Sequence, residues 1–206
     1  MNTKYKEIYL AGLIIAVHLA VTILLSAKLN VWLDEVYTLN TSSGDIVSAY
    51  KNAILFEGQP PFYFVAITAW RQICSTAFFA RLFSVLVIAL TLVVVYITLK
   101  KYFPRINPVA ALLLFSVNPI LIWAASEIRC YALVVLFTSL NILYFIRVYI
   151  ENPGDRTGRV LFILFSALGV FTQYFFAFVL IGNFVFLLFL KKWDAVKKYL
   201  LDMIAP

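Results

Sequence analysis

The sequence predicts an all-α polytopic membrane protein. Of its 206 residues, 64% are hydrophobic and only 13% charged, whereas the surface of a soluble domain needs roughly a quarter charged residues. The apolar residues gather in charge-free runs at residues 8–27, 82–99, 106–126, 130–146 and 160–190, and about 20 apolar residues cross a hydrocarbon core of ~30 Å. The Lys and Arg residues are shared unequally between the ends of these runs, the bias that orients membrane proteins.

The first run follows Lys4 and Lys6. At 20 residues it exceeds the 7–15 of a signal-peptide core and reads as an uncleaved anchor. The next three runs suit single helices, the third bent at Asn118-Pro119. The fifth run has 31 residues and would reach roughly 46 Å as one helix, too long without heavy tilt. Read as a hairpin turning at Thr172-Gln173-Tyr174, it returns Lys191, Lys192, Lys197 and Lys198 to the side of Lys4. Twelve of the 17 basic residues then lie on one side, taken as cytoplasmic. The expectation is about six membrane segments, the last two a short hairpin. Residues 1–7 and 191–206 are cytoplasmic, and residues 28–75 form a large outer loop.

That loop carries helical periodicity in Leu33, Val36 and Tyr37 and again in Ile46, Val47, Tyr50 and Ile54. Ser42 and Asp45 have the spacing of a capping box before the second segment, and Gly58-Gln59-Pro60-Pro61 breaks the chain. The aromatic-rich stretch 62–73 suits the headgroup level, so two or three interfacial helices are expected. Ser75 and Thr76 can cap the following span. Cys74 and Cys130 fall near the same surface. Two cysteines support no disulfide framework, and they read as small apolar residues. His18, in the middle of the first run, reads as a helix-packing hydrogen bonder. Asn40-Thr41-Ser42 fits a glycosylation sequon by three residues only. The sequence has no GxGxxG, phosphate loop, CxxC or HExxH.

Only ten acids occur in the chain, and two, Asp34 and Glu35, stand together just after the first span. The same predicted side holds Glu57, Gln59, Arg71, Arg81, Glu127, Arg129, Tyr131, Gln173 and Tyr174. A carboxylate there can serve as general base to an acceptor hydroxyl. Arginines can hold a phosphate by charge-assisted hydrogen bonds, and two carboxylates can share a divalent cation. Such a set suits transfer from a phosphate-bearing lipid. Each charge also has a plainer reading as a topology marker or solvated residue, and adjacent helical positions diverge by about 100°, so Asp34 and Glu35 face different partners.

In order, the segments WLDE, EGQPPFYFVAITAW, ARLFSVLVIALTLVVVYITLKKYF, NPILIWAASEIRCYALVVLF and FTQYF resemble the N-terminal part of membrane glycosyltransferases of the GT-C superfamily. The nearest type is the protein O-mannosyltransferase and aminoarabinose-transferase group. The resemblance implies transfer of a sugar from a polyprenyl-phosphate carrier to a protein, lipid or glycan acceptor outside the cytoplasm, and the short links and absence of targeting features point to a plasma membrane. It implies Asp34 as catalytic base, with Glu35 beside it ordering the acceptor or the network. Arg81 is implied as ionic scaffold, Glu127 as partner to a basic group or, with Asp34, to a metal, and Arg129 as a contact to carrier phosphate. Tyr131, Gln173 and Tyr174 fall in the same substrate-binding region. Gln59 is neutral where relatives often carry a basic residue. The chain ends before further spans that such enzymes usually have, so an incomplete module is expected. The rival reading is a non-catalytic membrane subunit that binds polyprenyl-phosphate lipid or a full-length partner. A small transporter is the third, disfavoured because mid-span polar groups are few and small.

Overall fold

The computed structural model describes residues 3–204, and among these it is helical without a strand. The first helix, α1, runs Thr3–Lys28. The loop after it folds into α2 (Leu33–Thr41), α3 (Ile46–Asn52, continued by a π-helical turn Ala53–Glu57) and α4 (Phe62–Arg71). The long α5 (Ala77–Tyr102) follows, then α6 (Pro108–Ser116), α7 (Pro119–Ala125) and α8 (Tyr131–Phe145, continued by a π-helical turn Ile146–Glu151). The chain closes with α9 (Arg156–Thr172), α10 (Ala177–Phe189) and α11 (Trp193–Met203).

Side-chain caps set many of the boundaries. Asp45 accepts from Ser48 N at 2.7 Å and starts α3, so the cap is Asp45 itself rather than Ser42. Thr76 caps α5. Asn107 and Asn118 cap α6 and α7, each followed by proline at the first helical position, where its missing N–H costs nothing. Asp155 caps α9 through Gly158 N.

Three helices are long and apolar enough to cross a membrane: Tyr5–Lys28, Ala77–Tyr102 and Tyr131–Glu151. The third charge-free run is not one bent helix but two, α6 and α7, meeting at 61°, and counted as one broken span they make a fourth. The last run does break at Gln173, in extended backbone. Its arms have 17 and 13 residues, the first at the lower limit for a crossing and the second below it. By length and apolarity three helices, or four with the broken pair, are candidate crossings, and the two arms of the hairpin expected from the sequence are not among them. The protein is a membrane protein whose apolar side chains lie largely on the outside of the bundle, as on α1 at Leu13, Val17 and Leu24.

Helix α5 is the hub, packing against α1, α6, α7 and α8, while α8 carries α9. Two polar devices hold the bundle. His18 Nδ1 donates to Ser116 O at 2.8 Å, a carbonyl freed where Asn118-Pro119 interrupts α6, as the packing role for His18 requires. Asn183 donates to Asn141 Oδ1 (2.6 Å) and Asn141 to Ser166 Oγ (2.9 Å). That chain ties α10, α8 and α9 by interhelical hydrogen bonds, as apolar surroundings favour. The segment read as a tail from residue 191 is a packed helix: Tyr199 is buried, and Asp202 accepts from Tyr149 and Arg159.

Candidate active site

The α1–α5 loop, the α7–α8 link and the α9–α10 turn all lie at one end of the bundle. Asp34 and Glu35 occupy the first turn of α2, where carboxylates complement the helix dipole. Their chemistry then diverges. Glu35 is fully buried. Arg81 Nε donates to its Oε1 at 2.9 Å and Arg81 Nη2 to its Oε2 at 2.6 Å. Trp32 N and Ile128 N donate to the same carboxylate. The remaining Arg81 donors reach the carbonyls of Ser26, Leu29 and Asn30 at the end of α1. One ion pair therefore knots α1, α2, α5 and the α7–α8 link, with every lone pair and proton engaged, which is the condition for a buried pair to be tolerated.

Asp34 is half-buried, and its carboxylate makes no hydrogen bond or ion pair with any described residue. Its neighbour is Arg129, whose Nη1 lies 3.5 Å from Asp34 O and 3.2 Å from Thr38 Oγ1. Arg129 also stands 3.7 Å from Glu57 Oε2, and Glu57 Oε1 accepts from Thr41 at 2.8 Å. So α2 presents Asp34, Thr38 and Thr41 along one side to a cluster of one arginine and one glutamate.

Glu127 is buried, and its Oε2 has no hydrogen-bond partner. Burial, and then the negative charge of Glu35, raise its carboxyl above the ordinary glutamate value. Tyr63 in α4 is buried with a partnerless hydroxyl, and burial raises that phenol well above its ordinary value. Gln59 Oε1 and Arg129 Nε are likewise buried and unpaired. Four such atoms without a partner among the described residues gather around one ionic cluster, whereas a buried core leaves few polar atoms unpaired.

The structure thus brings together Asp34, Glu35, Arg81, Glu127 and Arg129. Gln173 reaches their edge through a long contact to Cys130 Sγ at 3.9 Å. Tyr131 packs its ring on Trp123 at 4.8 Å between centroids, and Tyr174 is exposed at the turn. Glu57, Thr38, Thr41 and Tyr63 complete the cluster. The first was read as a loop charge, and no signal in the sequence marked the other three as site residues. Arg71 instead clasps the loop, donating to Leu39 O and Ser42 Oγ. Among the described residues no three of His, Cys, Asp and Glu are placed to hold a metal ion.

The chain is thus a membrane helix bundle with a carboxylate-and-arginine cluster at one end. Residues 58–205 match the family model described as dolichyl-phosphate-mannose-protein mannosyltransferase. That segment is more than half of the chain, and the chain belongs to this family, one of glycosyltransferases of GT-C type. Asp34 and Glu35 precede the matched segment, whereas Arg81, Glu127 and Arg129 lie inside it. Neither the curated proteins nor the solved structures yield a match.

Proposed function

We propose that the chain transfers a sugar from a polyprenyl-phosphate carrier to a hydroxyl-bearing acceptor, with Asp34 as general base. The reading is carried by one contrast: Glu35 is saturated by hydrogen-bond donors, while the adjacent Asp34 carboxylate is free and reachable. A free carboxylate can take the acceptor proton as the acceptor oxygen attacks the anomeric carbon and the carrier phosphate leaves with the bonding electrons. Arg129 would meet that phosphate by charge-assisted hydrogen bonds, its Nε being unspent. Glu35 acts as a positioning residue through Arg81.

The charge bias of the flanking segments supports a non-cytoplasmic face for the cluster. The α9–α10 hairpin enters the membrane, and α3, with Val47, Tyr50 and Leu55 exposed, lies in the headgroup layer. The test is direct. Vesicles holding the chain and mannosyl polyprenyl phosphate should release polyprenyl phosphate only when acceptor is present. Release that ignores the acceptor, or none with any acceptor, overturns the proposal. Carrier binding without turnover would instead match a non-catalytic subunit.

A further inference from the structure

Between α2 and the α3 π-turn lies a cleft of about 380 Å³, lined by Tyr37, Asn40, Thr41, Asn52, Phe56 and Glu57. Its size falls within the range of small-molecule sites, roughly 300–1,000 Å³. Tyr37 is three residues after Asp34, which on a helix puts their Cβ atoms about 5–6 Å apart on neighbouring turns. Thr41 and Glu57 belong both to this cleft and to the cluster around Arg129. Through these residues the cleft adjoins the Arg129 cluster and the turn of α2 that carries Asp34.

Its lining selects for a particular chemistry. No lysine or arginine lines it, and the charge of Glu57 is offset by Arg129 at 3.7 Å, so a phosphate finds no cation there. Five of the six lining side chains end in or carry a polar atom, so an aliphatic chain would strand donors and acceptors. The amides of Asn40 and Asn52 and the hydroxyl of Tyr37 make no hydrogen bond with any described residue and remain available as paired donors and acceptors. Tyr37 and Phe56 are 53% and 81% exposed and offer ring faces to C–H surfaces. A neutral ring molecule with hydroxyls on its rim and C–H groups on its face matches all of these.

We infer that this cleft binds the acceptor and that the acceptor is a saccharide, free or carried as a lipid headgroup. The inference rests on the transfer reading above and gives its acceptor class. An acceptor saccharide seated between Tyr37 and Phe56 presents a hydroxyl toward Asp34, and the amides of Asn40 and Asn52 fix its orientation.

The test is binding to the whole purified chain in lipid nanodiscs. The probes are mannotriose, a diacylglycerol dimannoside in vesicles and a Ser/Thr-containing hexapeptide. Saturable mannotriose binding should weaken roughly fivefold in Asn52→Ala, the loss of about one net hydrogen bond, and by a similar factor in Tyr37→Ala. Leu55→Ala, outside the cleft, should bind as the native chain does. Stronger binding of the dimannoside than of mannotriose assigns the source to a glycolipid, and equal binding to a free glycan. The Asp34→Asn variant should still bind while failing to transfer, which separates this inference from the assignment of the base. Binding of the peptide in preference to both saccharides, no saturable saccharide binding, or saccharide binding unmoved by both cleft variants overturns it.

Discussion

Arg81 and Glu35 meet through two parallel N–H···O contacts, at 2.9 and 2.6 Å, in a place where both residues are buried. The pair converts a sequence accident, two adjacent acids, into a division of labour. One acid is committed to architecture so that the other can be held free. Removing one partner leaves a buried charge alone, a loss of about 3–5 kcal/mol. Glu35→Ala and Arg81→Ala are each expected to lower the unfolding midpoint strongly in detergent. Arg81→Lys should rescue little, because a point ammonium cannot span the carboxylate and three carbonyls at once. Native-like thermal unfolding of Arg81→Lys would show that the fork geometry is dispensable.

Glu127 predicts a pH dependence. Its folded-state value lies above that of an unfolded glutamate, through burial and then the charge of Glu35. The stability it contributes is therefore fully present below the ordinary glutamate range and is lost as pH rises through the raised folded value. Glu127→Gln imitates the neutral form, so its unfolding midpoint should match the native chain in acid and exceed it at higher pH. A gap that stays constant or opens toward low pH contradicts the burial of an ionisable Glu127.

The hairpin turn rests on Gly169. A Cβ there would stand 2.5 Å from ring carbons of Phe176, which is itself buried. Gly169→Ala should cost about 1–3 kcal/mol by overpacking. A second substitution, Phe176→Leu, should restore part of it by clearing the contact. Unchanged protease resistance of the hairpin in Gly169→Ala would mean that the two arms are looser than this packing implies.

His18 tests the broken span. Its Nδ1–H satisfies Ser116 O, so His18→Leu should leave a buried carbonyl unpaired and cost about 1–3 kcal/mol. Full stability of that variant would show that Ser116 O finds another donor.

Much of this was legible before any coordinates. The charge-free runs placed α1, α5 and α8, the excess length of the last run placed the turn at Gln173, and mid-span His18 announced a packing role. The break between α6 and α7 was visible only as a kink, because Asn118-Pro119 fixes a local interruption while the 61° angle depends on how α1 and α5 receive the two pieces. Apolar length located the two arms of the hairpin but does not say how far a 13-residue helix reaches into a membrane. Within the site, the residue types were apparent but not their roles. That Glu35 rather than Asp34 takes Arg81 depends on the roughly 100° between adjacent helical positions, and the link from Thr41 through Glu57 to Arg129 joins residues 88 positions apart. No local pattern carries such a contact.

The central claim is that Asp34 is the base. The measurement that tests it is the initial rate of sugar transfer by Asp34→Asn, with carrier and acceptor binding and the unfolding midpoint recorded on the same preparation. The account predicts a loss of transfer of at least about a hundredfold, the usual scale for a general base, with binding and midpoint unchanged. Near-native transfer by Asp34→Asn would contradict it.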